Sequence, residues 1–283
     1  MKNGMTTKSQ NKKRALVVGA GGLRGAYDGG VLATLCRKLD PNYFDGVYAS
    51  SAGSFAATFY VADQPDVIEN TWRNLVHGTK LVDYLNPLFG RNIMDLEYLI
   101  ELFTDGTSRL DVDTVMHSPA KLTYVLTDYV TGSPTYRSPS KENIFTLLTA
   151  TAAVPLLHKQ VVIDKKPYTD GELADTLPVM KALTDGYDEV VAVYNKPEGF
   201  YVGERYDLFT NIISFFLPPK IANLLRTLKK RTQQLERDMF MNNRIRIIRP
   251  GKQLPLRSIL DTNKERLNGA FDQGVRDAED FLK

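Results

Sequence analysis

The chain has one cysteine, one tryptophan and three histidines in 283 residues. With Cys36 alone, no intramolecular disulfide and no cysteine-based metal site can form. Cys36 stands in an apolar helical pattern and reads as a small core residue. The histidines are His77, His117 and His158. A triad in α/β-hydrolase chain order places its histidine after its acid. No acid beyond residue 158 can therefore belong to one, and His158 itself reads as a loop or surface residue. Long apolar runs are also missing. The strongest, "IISFFL" at 212–217, is far shorter than the roughly 20 residues that span a bilayer. The opening "MKNGMTTKSQNKKR" is polar and basic with no apolar stretch behind it, unlike a secretory signal. The expectation is a cytoplasmic protein with a flexible basic tail at 1–13.

What is present is ordinary for a globular enzyme: 43% hydrophobic, 24% charged and 10% aromatic residues. Those proportions and the length allow a sizeable core and exclude a mainly disordered chain. The net charge of +3 is unevenly spread. Residues 1–14 carry five Lys/Arg and no acid, and residues 220–252 carry ten Lys/Arg against Glu236 and Asp238, leaving an acidic remainder. Such a basic stretch either meets an anionic surface or is a solvated helix face. The mixed apolar and basic segment "LFTNIISFFLPPKIANLLRTLKKR" (208–231) suits a membrane surface or a core-packing helix pair.

Apolar runs at 14–19, 44–49 and 188–194 predict buried strands, and helical spacing at 25–39 and 54–62 predicts helices between them. Further helices are expected near 67–77 and 95–103. Residues 121–138 alternate around "TGSP" as a hairpin does, a helix follows near 141–150, and 160–171 reads as two short strands. A helix starts at Pro178. Beyond Pro197 the pattern is helical over 206–241 with a break at Pro218–Pro219, then strand-like at "RIRIIRP", then helical over 263–282. Strands alternating with helices over short links predict a parallel sheet covered by helices.

Three motifs carry chemistry. "YASSAGSFAA" (48–57) places two serines where a strand turns into a helix. A strand-to-helix elbow needs small residues two before and two after its nucleophile. Ser51 meets this with Ala49 and Gly53, whereas Ser50 would have Tyr48 crowding it. A helix N-cap would use the same serine. "GAGGLRG" (19–25) follows the first strand. Its free amides suit an oxyanion hole, an anion-binding turn or a plain β–α turn. The dinucleotide pattern G-x-G-x-x-G fails in every frame. "YTDGELADTLPV" (168–179) sets Asp170 before Gly171, in an Asp-Gly turn or as a base. Without a suitable histidine a carboxylate must act directly, and burial must raise its pKa from the usual value of about 3.9.

Together these motifs resemble the patatin-like phospholipase family. Its G-G-G-x-R-G loop matches "AGGLRG", its G-x-S-x-G elbow matches "ASSAG", and its D-G-G/A motif followed by P-V matches Asp170-Gly171 with Pro178-Val179. "TAAVP" (151–155) is similar to the segment before the family's last motif. The resemblance covers about 14–195, and the tail is similar to the extension of a bacterial branch. It implies a three-layer α/β/α sandwich with a mostly parallel central sheet, and a largely helical extension over 196–283 packed on the catalytic domain at 14–195. It also implies lipid ester hydrolysis with Ser51 as nucleophile and Asp170 as proton acceptor. Gly21, Gly22, Leu23 and Arg24 would form the oxyanion hole, supported by Gly25, Ala49, Gly53 and Gly171. Arg24 would order the loop or face a lipid phosphate. No metal or cofactor is implied, and no nucleic acid. The partners expected are a lipid substrate and an anionic membrane met peripherally through 208–252. Ala20, Ala49 and Glu172 stand where the family has glycine. They motivate the rival reading, a catalytically weak module that binds lipid or a partner protein.

Overall fold

The computed structural model describes residues 12–200 and 213–283. Most of the basic tail, residues 206–212 of the expected helical stretch and, with them, residues 208–212 of the mixed apolar and basic segment lie outside these. The elements, in chain order, are β1 (Arg14–Val18), α1 (Gly25–Lys38), β2 (Gly46–Ser50), α2 (Ala52–Val61), α3 (Pro65–Asn70), α4 (Leu96–Thr104) and α5 (Val112–His117). Then come β3 (Lys121–Asp128), β4 (Pro134–Arg137), α6 (Ile144–Ala152), β5 (Val161–Ile163), β6 (Lys166–Asp170), α7 (Val179–Thr184) and β7 (Glu189–Val193). The chain ends with Pro219–Phe240, here α8, β8 (Ile245–Ile248), and Lys264–Phe281, here α9.

One sheet runs in the order β5-β6-β3-β2-β1-β7-β8, with β4 also paired to β3. The five strands from β3 to β8 are mutually parallel, and β4, β5 and β6 add antiparallel pairings. Side chains on a strand alternate between faces, and β1 shows the consequence. Leu16 and Val18 enter the larger core, and Ala15 and Val17 the smaller. Both faces are covered, which is why the strands read as continuous apolar runs. This is a three-layer α/β/α fold with a mostly parallel sheet.

The C-terminal part is built into this architecture. β8 extends the sheet beside β7. α9 lies along α1 at backbone distance: a Cβ on Gly30 would stand 2.0 Å from the Phe271 carbonyl oxygen, and one on Gly274 2.1 Å from that of Tyr27. Only glycine permits this approach at those two positions.

The expected helix over 67–77 is two pieces. α3 ends at Asn70, and a π-helical turn covers Thr71–Leu75. That turn drives Trp72 against α1. A Cβ on Gly25 or Gly29 would lie 2.6 or 2.2 Å from the indole. The last glycine of the Gly-rich motif thus makes room for a side chain rather than for an anion.

Candidate active site

The register on β3 assembles the site. Ser50 ends β2 opposite Val125, and Asp170 ends β6 opposite the next residue, Leu126. Consecutive positions of one strand therefore bring together residues 119 apart in sequence. Ser51 Oγ donates a hydrogen bond to Asp170 Oδ2 at 2.6 Å.

Ser51 has φ 52° and ψ −132°, a conformation that a residue with a side chain adopts only under strain. The surroundings enforce it. The Ser51 amide donates to Thr151 Oγ1 at 3.0 Å, and that hydroxyl donates to the Val125 carbonyl at 2.6 Å. Gly53 must lack a side chain, because its Cβ would sit 2.4 Å from the Gly19 carbonyl oxygen. Ala49 is fully buried, and the elbow keeps its geometry with alanine there. Ser51 makes no side-chain cap to α2, so the N-cap reading is not what occupies its hydroxyl. Ser50 is buried with its Oγ unpartnered among the described residues, beneath Gly171.

Asp170 is 2% exposed. Its Oδ1 accepts the Glu172 amide at 2.7 Å, and its own amide donates to the Ala153 carbonyl. Burial, reinforced by the nearby Glu172 carboxylate, pushes its pKa up to about 8, with the bonds from Ser51 and the Glu172 amide opposing. A direct base working near neutral pH needs such a shift. Glu172 is itself held 3.5 Å from Lys196 Nζ, so the second carboxylate beside the pair is compensated. Gly171 is required sterically, since a Cβ there would meet the Val125 carbonyl oxygen at 2.2 Å.

The Gly-rich loop departs from expectation in two of its four amides. Leu23 donates to the Ile259 carbonyl at 2.8 Å, and Arg24 donates to the Gly21 carbonyl at 3.2 Å. A 3-10 turn over Gly22–Arg24 and the segment before α9 consume them. The amides left without a protein acceptor among the described residues are those of Gly21 and Gly22. The Arg24 guanidinium stacks 4.6 Å from the Phe200 ring centroid, which favours the loop-ordering role over an open phosphate contact. Gly22 has φ +57°, and a Cβ there would meet Ile259.

Three further residues, not singled out in the sequence, hold this loop, the elbow and the turn after the aspartate. Asn195 Nδ2 donates to the Ala20 carbonyl and to Asp28. Thr151 supports the elbow. Arg231 on α8 donates to the carbonyls of Leu173 and Ala174, just beyond Asp170. Only Thr151 carried a sequence signal, as part of "TAAVP". His158 lies in a loop, one of its two expected places, but is buried there rather than at the surface, at 8% exposure. Its nitrogens meet the Lys159 carbonyl and Glu97, not Asp170.

A narrow slot of about 50 Å³ opens beside Ser51 and Gly22 and is walled by Phe55, Trp72, Leu99 and Phe103. Its lining is almost wholly apolar. It is smaller than the roughly 300–1,000 Å³ typical of ligand pockets, so a long chain enters only if these side chains move. Among the described residues no group of three or more His, Cys, Asp or Glu gathers as a metal site would require.

The site thus sets a strained serine beside a glycine loop on a three-layer α/β/α fold. The chain belongs to the patatin-like phospholipase family, whose model matches residues 16–183. It is similar to YjjU, an uncharacterized protein of Escherichia coli (strain K12), with 28% identity over 194 residues, or 66% of this chain and 53% of that protein. The chain thus spans about half the length of that curated relative. The crystal structure of VipD from Legionella pneumophila has the same fold, with a TM-score of 0.53 and 11% identity over 98% of this chain and 69% of that one.

Proposed function

We propose that this chain hydrolyses carboxylic esters of phospholipids or other acyl lipids through a Ser51–Asp170 dyad. The observation that carries the reading is the 2.6 Å bond from Ser51 to a buried carboxyl. Asp170, as carboxylate, accepts the Ser51 proton while Oγ attacks the ester carbonyl carbon. The negative oxygen of the tetrahedral intermediate is stabilised by the amides of Gly21 and Gly22. Asp170 returns the proton to the leaving alkoxide, the C–O bond breaks and an acyl-Ser51 remains. Water, deprotonated by the same carboxylate, attacks the acyl-enzyme. Ser51 is regenerated and a fatty acid leaves. The apolar slot supports an acyl chain as the part of the substrate nearest Ser51.

Covalent labelling by a fluorophosphonate tests the reading. The chain is expected to label at Ser51 and to release fatty acid from lipid. A folded chain that neither labels nor hydrolyses would establish the rival reading, a lipid- or partner-binding module.

No helix among the described residues is long and apolar enough to cross a membrane. Membrane contact is therefore proposed as peripheral. The basic stretch at 220–252 is not one free patch. Arg231 and Arg244 bind backbone carbonyls, Arg249 pairs with Glu236, and Arg246 stacks on Phe281.

A further inference from the structure

We propose that one face of the protein, made by the 84–91 loop, the 155–160 segment and the 215–217 turn, docks on a bilayer surface carrying anionic lipid. The proposal deepens the acyl-lipid reading and rests on it for biological purpose, but not for its physical argument.

The 84–91 loop ends in a 3-10 turn, Asn86–Phe89, closed by Gly90 in the left-handed region. Leu88 and Phe89 at its tip are 79% and 76% exposed. Phe215 and Phe216 are 86% and 75% exposed. Side chains of this size are seldom left in water together on a soluble surface. Their two turns border one groove: Phe216, Pro87 next to Leu88, Tyr129 and Leu156 line it together with Arg91 and Lys159. No acid lines that groove. Arg91 and Lys159 are exposed, and no carboxylate pairs with either among the described residues.

This chemistry selects the occupant. Apolar side chains on separate turns, with the two unpaired cations Arg91 and Lys159 beside them, match acyl tails beneath anionic head groups. A second copy of the same face would oppose cation to cation. The face also adjoins the candidate active site. Ile93 borders the groove while Met94 borders the slot beside Ser51, and Pro155 and Val154 divide in the same way. A lipid held there lies against the wall of the slot.

Sedimentation with phosphatidylcholine vesicles, with and without phosphatidylglycerol, tests the proposal. The Ser51→Ala chain is used throughout, so that hydrolysis cannot alter the vesicles. Binding is expected only with the anionic vesicles. Leu88→Ser/Phe89→Ser and Phe215→Ser/Phe216→Ser should each weaken it about tenfold or more, and Arg91→Gln/Lys159→Gln should remove its salt dependence. Arg226→Gln/Lys230→Gln, on the exposed side of α8, should leave it unchanged. Each variant is checked by its melting temperature. Equal binding to both vesicle types would overturn the proposal, as would weakening by the α8 variant alone. Loop variants that dissolve a dimer without changing vesicle binding would do the same. Because the readout is binding by an inactive chain, a failure here is separate from a failure of the dyad.

Discussion

Asn195 Nδ2 donates to Asp28 Oδ2 at 2.7 Å, with both residues buried beneath the Gly-rich loop. The same nitrogen reaches the Ala20 carbonyl at 3.1 Å. Burial raises the Asp28 pKa well above the carboxylate range, against the opposing effects of Asn195 and Lys196. The pair anchors the loop that supplies the free amides of Gly21 and Gly22. Asn195→Ala should leave two buried polar groups unpaired, at a cost of about 1–3 kcal/mol. In hydrolysis of a soluble ester, kcat should fall more than KM rises. An unchanged kcat in a folded variant would remove Asn195 from the support of the loop.

The dyad predicts a hierarchy. Ser51→Ala and Asp170→Asn should abolish p-nitrophenyl ester hydrolysis with circular dichroism unchanged. Ser50→Ala should retain much of it, because that hydroxyl has no partner to lose among the described residues. His158→Ala should cost less than the roughly 10²-fold typical of a lost general base. A His158→Ala chain as inactive as Asp170→Asn, yet folded, would return histidine to the mechanism.

The pH dependence follows from the same carboxyl. Asp170 acts only when ionised, and its pKa is pushed up to about 8. The rate should rise with pH and level off above that value. Stability has the opposite sign. The folded pKa exceeds the unfolded value of about 3.9, so the contribution of this group is full below about pH 4 and is lost as pH rises to about 8. The Asp170→Asn chain should therefore gain melting temperature relative to wild type as pH is raised. Parallel melting curves from pH 5 to 9 would contradict the buried-carboxyl account.

Close backbone contacts make a structural prediction. Gly274→Ala forces a methyl to within 2.1 Å of the Tyr27 carbonyl oxygen. Such overpacking costs about 1–3 kcal/mol or more. Because α1 begins at the Gly-rich loop and the preceding segment caps Leu23 through Ile259, activity should fall along with melting temperature. Gly251→Ala, where nothing crowds the position, is the matched control and should change neither.

Most of the elements, and the two residues that the 2.6 Å bond joins, were legible because their causes are local. Apolar runs of four to six residues marked the strands. The choice of Ser51 over Ser50 followed from the size of Tyr48 against Ala49, and the lack of a later histidine turned attention to a carboxylate. Spacing within one segment sets such features, so the sequence by itself determined the elbow, the Asp-Gly turn and most of the order of strands and helices, though not the short α5 (Val112–His117).

What the sequence could not determine depended on partners far along the chain. Ile259 occupies the Leu23 amide, Asn195 holds Asp28 and Ala20, and Arg231 clamps the turn after Asp170. The π-helical turn at Trp72 arose where helical spacing alone predicted a continuous helix. The raised pKa of Asp170 comes from burial, which no single segment provides. Tertiary structure decided these because desolvation and the filling of backbone hydrogen bonds are properties of the packed interior, and the packed interior joins residues far apart in the chain, such as Leu23 and Ile259, 236 positions apart.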